Sequence, residues 1–112
     1  MSDLRTKLAA QDWAAVACNY AVDAFVTDDQ GVLTGHLDII TAEQSLSTLF
    51  NGIPATLKQQ DVFQDTARVL SSRDGGWIII PDGVHTYVVE CGFITRQTGH
   101  GLIEFTGPPP GS

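Results

Sequence analysis

The apolar pattern of this chain changes period once near its start, and that change restricts the folds open to it. Trp13, Val16, Ala17 and Tyr20 fall at i, i+3, i+4 and i+7, one face of a helix. From Ala24 the period becomes two. Ala24, Val26 and Asp28 alternate with Phe25, Thr27 and Asp29, the pattern of a strand with one buried face. Asp29-Gln30-Gly31 reads as a hairpin turn and Val32-Leu33-Thr34 as the returning strand. Asp3 and Asp12 are predicted caps of two early helices, the first carrying Leu4 and Leu8. A third helix is predicted to begin between Asp38 and Thr41, where Thr41-Ala-Glu-Gln44 matches a capping box, and to end at Asn51-Gly52.

After Pro54 every signal is for strand. Ala55 to Leu70 is expected to form one long bent or bulged strand, because the apolar pair Val62-Phe63 breaks the alternation. A turn at Ser71–Gly76, a buried strand Trp77–Ile80 and a turn at Pro81-Asp82-Gly83 are predicted next. Val84 to Arg96 is expected to be the longest strand, bent at Gly92, and Leu102 to Thr106 the last. Helices first and a strand meander after them predict an α+β domain. Three N-terminal helices would pack on a strongly curved, mostly antiparallel sheet, with a pocket on its concave side. Residues 1–106 read as one domain and 107–112 as a Pro/Gly-rich tail.

Charge narrows the partners. Thirteen acidic residues against six Lys and Arg give a net charge of −7. That balance opposes nucleic-acid binding and anionic membrane surfaces, both of which draw on clustered basic residues. The start of the chain is polar and no apolar run approaches the roughly 20 residues of a membrane span, so a cytoplasmic protein is expected. Cys18 and Cys91 lack metal-type spacing and are expected to be buried thiols. The three histidines stand far apart, and no Gly-rich phosphate loop, nucleophile elbow or CxxC occurs. No metal and no cofactor is therefore expected.

Several residues are candidates for a small-molecule pocket. Asp28 ends a strand whose alternate positions are apolar, so it either lines a cavity or caps its own turn. His36 precedes the third helix. His85, Tyr87, Val89, Cys91 and Phe93 share one face of the predicted long strand. Tyr87 and Phe93 call for burial, so the His85 face is expected to be concave. The other face carries Val84, Val88, Glu90 and Ile94 and is expected to be covered by a second copy of the chain. Trp13 and Tyr20 are expected under the sheet, their polar tips within reach of the pocket.

Tyr20-x-x-Asp23-Ala24-x-Val26-x-Asp28, Gly31, and Gly35-His36-Leu37-Asp38-Ile39, with the element order, resemble the NTF2-like superfamily. That superfamily includes the SnoaL-like cyclases and the ketosteroid isomerases. The resemblance implies a cone fold, a homodimer paired through the outer sheet face, and a hydrophobic cavity for a small-molecule ligand. It also implies an isomerase, lyase or cyclase working by proton transfer on a small apolar substrate. Asp28 falls at the isomerase base, with His85 as a second catalytic group. Trp13, Tyr20, His36, Tyr87 and Phe93 would contact substrate. The sequence departs from ketosteroid isomerase at both oxyanion donors, which would fall at Ser2–Arg5 and Cys91-Gly-Phe93. A non-catalytic ligand- or protein-binding module of the same fold is the alternative.

Overall fold

The computed structural model describes residues 2–108, apart from the side chains of Ser2 and Asp3. The Asp3 cap and the last four tail residues fall outside that description. Two short helices, α1 (Ser2–Ala9) and α2 (Trp13–Ala17), lead into a hairpin of β1 (Tyr20–Asp28) and β2 (Gly31–Thr34). Asp12 caps α2 as expected, its side chain accepting from Ala15 N at 3.3 Å. Then come α3 (Gly35–Leu49), β3 (Thr56–Phe63), β4 (Thr66–Asp74), β5 (Ile78–Glu90), β6 (Phe93–His100) and β7 (Glu104–Phe105). The sheet order is β2-β1-β6-β5-β4-β3, with β7 on β5. Only the β1–β6 contact is parallel, and the domain is α+β with its helices at the N-terminal end.

Turn chemistry moves several boundaries away from the sequence-based expectation. The run from Ala55 to Leu70 is two strands rather than one, folded back at Gln64-Asp65, where Gln64 takes a φ of 55°. Val84 to Arg96 also folds back, at Cys91 and Gly92 with φ of 53° and 84°. Two successive left-handed residues make a hairpin turn that follows the sheet's own twist. Conversely, Pro81-Asp82-Gly83 is not a turn: β5 runs through it, and a register shift opposite, between Ser71 and Arg73, absorbs the irregularity. Helix α3 starts at Gly35, so Thr41 lies inside it and no capping box forms there. The amide of Thr34 donates instead to Asp38 Oδ2 at 3.4 Å. Both cysteines are exposed rather than buried, because Cys91 stands in a hairpin turn and Cys18 at the end of a short helix.

The core gathers Leu4, Val16, Tyr20, Ile39, Val69, Tyr87 and Ile94, one from each of α1, α2, β1, α3, β4, β5 and β6. Ile94 is not on the outer face where alternation alone would put it. The early hairpin turn and a shift between Val88 and Val89 bring it inward, where it is 3% exposed. At the far edge, every residue of β3 is exposed.

Candidate functional site

Helix α3 positions the site. Ile39, Glu43, Leu46 and Phe50 recur along one side of it, the side turned toward the sheet. Ile39 and Phe50 are fully enclosed, while hollows remain on the two flanks of the helix.

The larger hollow is about 480 Å³. Leu46 and Leu49 of α3 face Ile80 and His85 of β5 and Gly99 of β6, with the β1–β2 turn at the mouth. Its lining is mostly apolar. The polar side chains are Ser45 and His85 and, at the mouth, Asp28, Asp29, Gln30 and His100. Residue 99 lies opposite His85 in the ladder, and a Cβ there would stand 3.1 Å from His85 Nδ1. Glycine at 99 is thus what makes room for the ring. The imidazole stacks on Tyr87, centroids 6.2 Å apart. Its Nδ1 is buried without a hydrogen-bond partner, and no described residue bonds Nε2. Burial lowers the His85 pKa below the usual imidazole value, so the ring is neutral at neutral pH. A neutral, desolvated imidazole can accept or pass a proton.

At the mouth, His100 Nδ1 meets Asp29 Oδ1 at 2.9 Å. That hydrogen bond is the main reason the Asp29 carboxyl is held below its usual pKa. Asp28 also borders the mouth, and of its two alternatives it takes the turn-capping one. It is exposed, and its Oδ1 accepts from Gln30 N at 2.8 Å and Gly31 N at 3.1 Å. The amides at the tip of this tight turn need an acceptor, and Asp28 supplies it.

The other predicted residues are dispersed. The Tyr20 hydroxyl donates to Gln97 Oε1 at 2.6 Å inside the core, and burial pushes its pKa well up. Tyr87 is core too, its phenol raised first by burial and then by the charge of Glu43. His36 donates from Nε2 to the Tyr20 carbonyl at 2.8 Å, a tie between α3 and β1 outside the cavity. Phe93 is 47% exposed on the far side of the hairpin turn, so it cannot contact a ligand beside His85. Trp13 lines the second hollow, of about 380 Å³, with Arg5, Leu8, Glu43, Leu57 and Arg73.

Glu43 and Arg73 are additions that sequence reasoning missed. Burial raises the Glu43 carboxyl, partly offset by Arg73, and burial lowers the Arg73 guanidinium, partly offset by Glu43. A signal for Glu43 exists: it lies three residues before Leu46 and seven before Phe50, on the apolar face of α3. Among the described residues no cluster of three His, Cys, Asp or Glu side chains could hold a metal ion. No helix there is long and apolar enough to cross a membrane.

Comparison with solved structures places this geometry in a class. A candidate ketosteroid isomerase from Kribbella flavida superposes with a TM-score of 0.79 at 22% identity, covering 98% of this chain and 79% of that one. A SnoaL-like protein of unknown function from Burkholderia thailandensis gives 0.76 at 10% identity, over 90% of both chains. A candidate polyketide cyclase from Sinorhizobium meliloti gives 0.69 at 16%, over 85% of this chain and 87% of that one. This chain has the NTF2-like cone fold. No family model and no curated protein matches its sequence.

Proposed function

We propose that the chain takes up a small, largely apolar molecule in the His85 cavity and moves a proton on it, as an isomerase, lyase or cyclase does. One observation carries this reading: a half-buried imidazole, unpartnered among the described residues, on the wall of a mostly apolar hollow of about 480 Å³. Nε2 would take a proton from a carbon beside a carbonyl, and the imidazolium would return it at another atom of the same molecule. The low-polarity wall keeps the base unprotonated between turnovers. The likeness in fold to proteins described as isomerases and cyclases supports the class of reaction, and leaves the substrate open.

Binding without chemistry is the second reading, and a specific feature favours it. His85 is the one titratable side chain set deep in this hollow, while Asp28, Asp29 and His100 stand at its exposed mouth. Proton exchange separates the two. A panel of small cyclic ketones is incubated with the protein in deuterated water and followed by NMR. Deuterium incorporation lost in His85→Gln supports catalysis. Ligands that shift the His85 resonances yet never exchange would leave a binding module.

The outer sheet face supports a second proposal, that two copies pair there. Val84 and Val88 stand half-buried on that face, and Phe25 and Phe93 are 38% and 47% exposed. Light scattering should give twice the 12.0 kDa chain mass. A monomer mass across micromolar concentrations would refute the pairing.

A further inference from the structure

The second hollow has a chemistry that the His85 cavity lacks. It opens on the other flank of α3, between α1, Trp13 and the β3–β4 hairpin. Of the six Lys and Arg residues in the chain, two, Arg5 and Arg73, line this one cleft, and among the described lining residues Glu43 is the only acid. A protein of net charge −7 has thus set two guanidinium groups against one described carboxyl in a single cleft.

Arg73 is held as a donor. Its Nε donates to the Ile53 carbonyl at 2.8 Å, and its guanidinium lies over the Phe50 ring, 4.9 Å from the centroid. Those contacts fix the plane of the group, and its terminal nitrogens make no hydrogen bond among the described residues. Glu43 offers an acceptor: it lines the same cleft, feels the Arg73 charge, and has no hydrogen-bond partner among the described residues. Both residues are half-buried, so their open polar groups face the cleft's own solvent and any ligand in it. An open donor and an open acceptor in one cleft, against a wall of Leu8, Trp13 and Leu57, define a complementary molecule.

We infer that this cleft is a second binding site, for a small organic acid with an apolar body and a hydrogen-bond donor next to its carboxylate. The carboxylate meets the terminal nitrogens of Arg73, with Arg5 at the rim, in the forked geometry that guanidinium and carboxylate share. The donor, a hydroxyl or an amino group, meets Glu43. The apolar body lies against Trp13 and Leu57. The volume of about 380 Å³ is at the small end for such pockets.

Mandelate carries both features, phenylacetate lacks the hydroxyl, and mandelamide lacks the charge, so these three serve as probes. Trp13 and Trp77 are the two tryptophans, and Trp77→Phe leaves Trp13 as the reporter. Mandelate should change its fluorescence saturably, at millimolar concentration or below. Each of the other two should bind about tenfold more weakly, the size of one hydrogen bond to a charged group. Arg5→Gln, at an exposed position outside the core, should weaken mandelate and phenylacetate alike. Glu43→Leu, which removes the acceptor, should erase the preference for mandelate over phenylacetate. Equal binding of all three probes, or an unresponsive Trp13, would overturn the site. So would NMR shifts centred on His85 instead of Trp13 and Arg73. The same titration in His85→Ala separates this site from the first cavity, since binding in the cleft should survive that change.

Discussion

The two flanks of α3 face the same sheet yet hold opposite kinds of chemistry. On the Leu46–Leu49 side the walls are aliphatic, and the one deep titratable group, His85, is driven to its neutral form by burial. On the Glu43 side a carboxylate and a guanidinium are buried near each other, and each moderates the other's shift. Burial shifts all three groups toward the neutral form, and the opposed pair offsets part of that shift.

Phe50 is where the two flanks meet the hairpin, and its loss should do the most damage. It is fully buried, carries the Arg73 guanidinium on its ring, and packs where Gly75 has no room for a Cβ, with Phe50 Cα 3.1 Å from that position. Phe50→Ala should cost about 3–5 kcal/mol and release Arg73 as well. Urea unfolding checks the first effect, and loss of mandelate binding beyond the loss of stability checks the second. A cost below about 1.5 kcal/mol would mean that the helix end repacks.

Tyr20→Phe should come next. It removes the donor at 2.6 Å from Gln97, which is 5% exposed and would be left with a buried acceptor. The expected cost is about 1–3 kcal/mol, with both hollows unchanged because Tyr20 reaches neither. A larger effect on ligand binding than on unfolding would place Tyr20 in a site after all.

Smaller effects come from the titrating groups, and they run in opposite directions. Because the Glu43 pKa is raised on folding, the native state holds its proton more firmly than the unfolded chain. Stability from this group is therefore greatest below the ordinary carboxylate pKa and falls as pH rises through the raised value. Glu43→Gln should stabilise the protein at pH 7 and lose that advantage near pH 4. The His85 pKa is lowered on folding, so its contribution is complete above the ordinary imidazole pKa and is lost as pH falls toward the folded value. His85→Gln should flatten the stability profile between about pH 6.5 and the acid limb. Melting temperatures across pH 4–8 test both, and parallel profiles for the two variants would contradict the contrast between the flanks.

Much of this architecture is legible in the chain. The change of period from Trp13 to Ala24 puts helix before hairpin, and the strand signals after Pro54 announce the meander. What escapes is governed by backbone conformations that residue type barely encodes. Gln64 and Cys91 adopt left-handed φ without being glycine, so two hairpins read as unbroken strands, and Phe93 and Ile94 take the faces opposite to those that alternation gives them. His85 is readable because alternation with Tyr87 puts it on a buried face. Its partner glycine is not, because Gly99 meets it only through cross-strand register. Glu43 is hidden by local pattern, since Thr41-Ala-Glu-Gln44 imitates a helix start in the middle of a helix.

Asp28 gives the finest test of the contrast, and the smallest expected change. Its position at the end of β1 suggests a buried base, but the turn claims its side chain. Oδ1 accepts from two backbone amides, and the residue is exposed at the rim. Asparagine keeps an oxygen in that place, so Asp28→Asn should leave the turn intact and shift the melting temperature by no more than about 2 °C. If proton transfer belongs to His85, deuterium exchange into a bound ketone should persist in this variant and vanish in His85→Gln. The reverse outcome is equally informative. Exchange abolished by Asp28→Asn with the melting temperature unchanged would mean that the carboxylate swings from its turn into the cavity when a ligand arrives. The two backbone amides would then have to be satisfied by water. That conformational cost would appear as weaker substrate binding by the parent protein than by a variant whose turn needs no Asp28, such as Gln30→Gly.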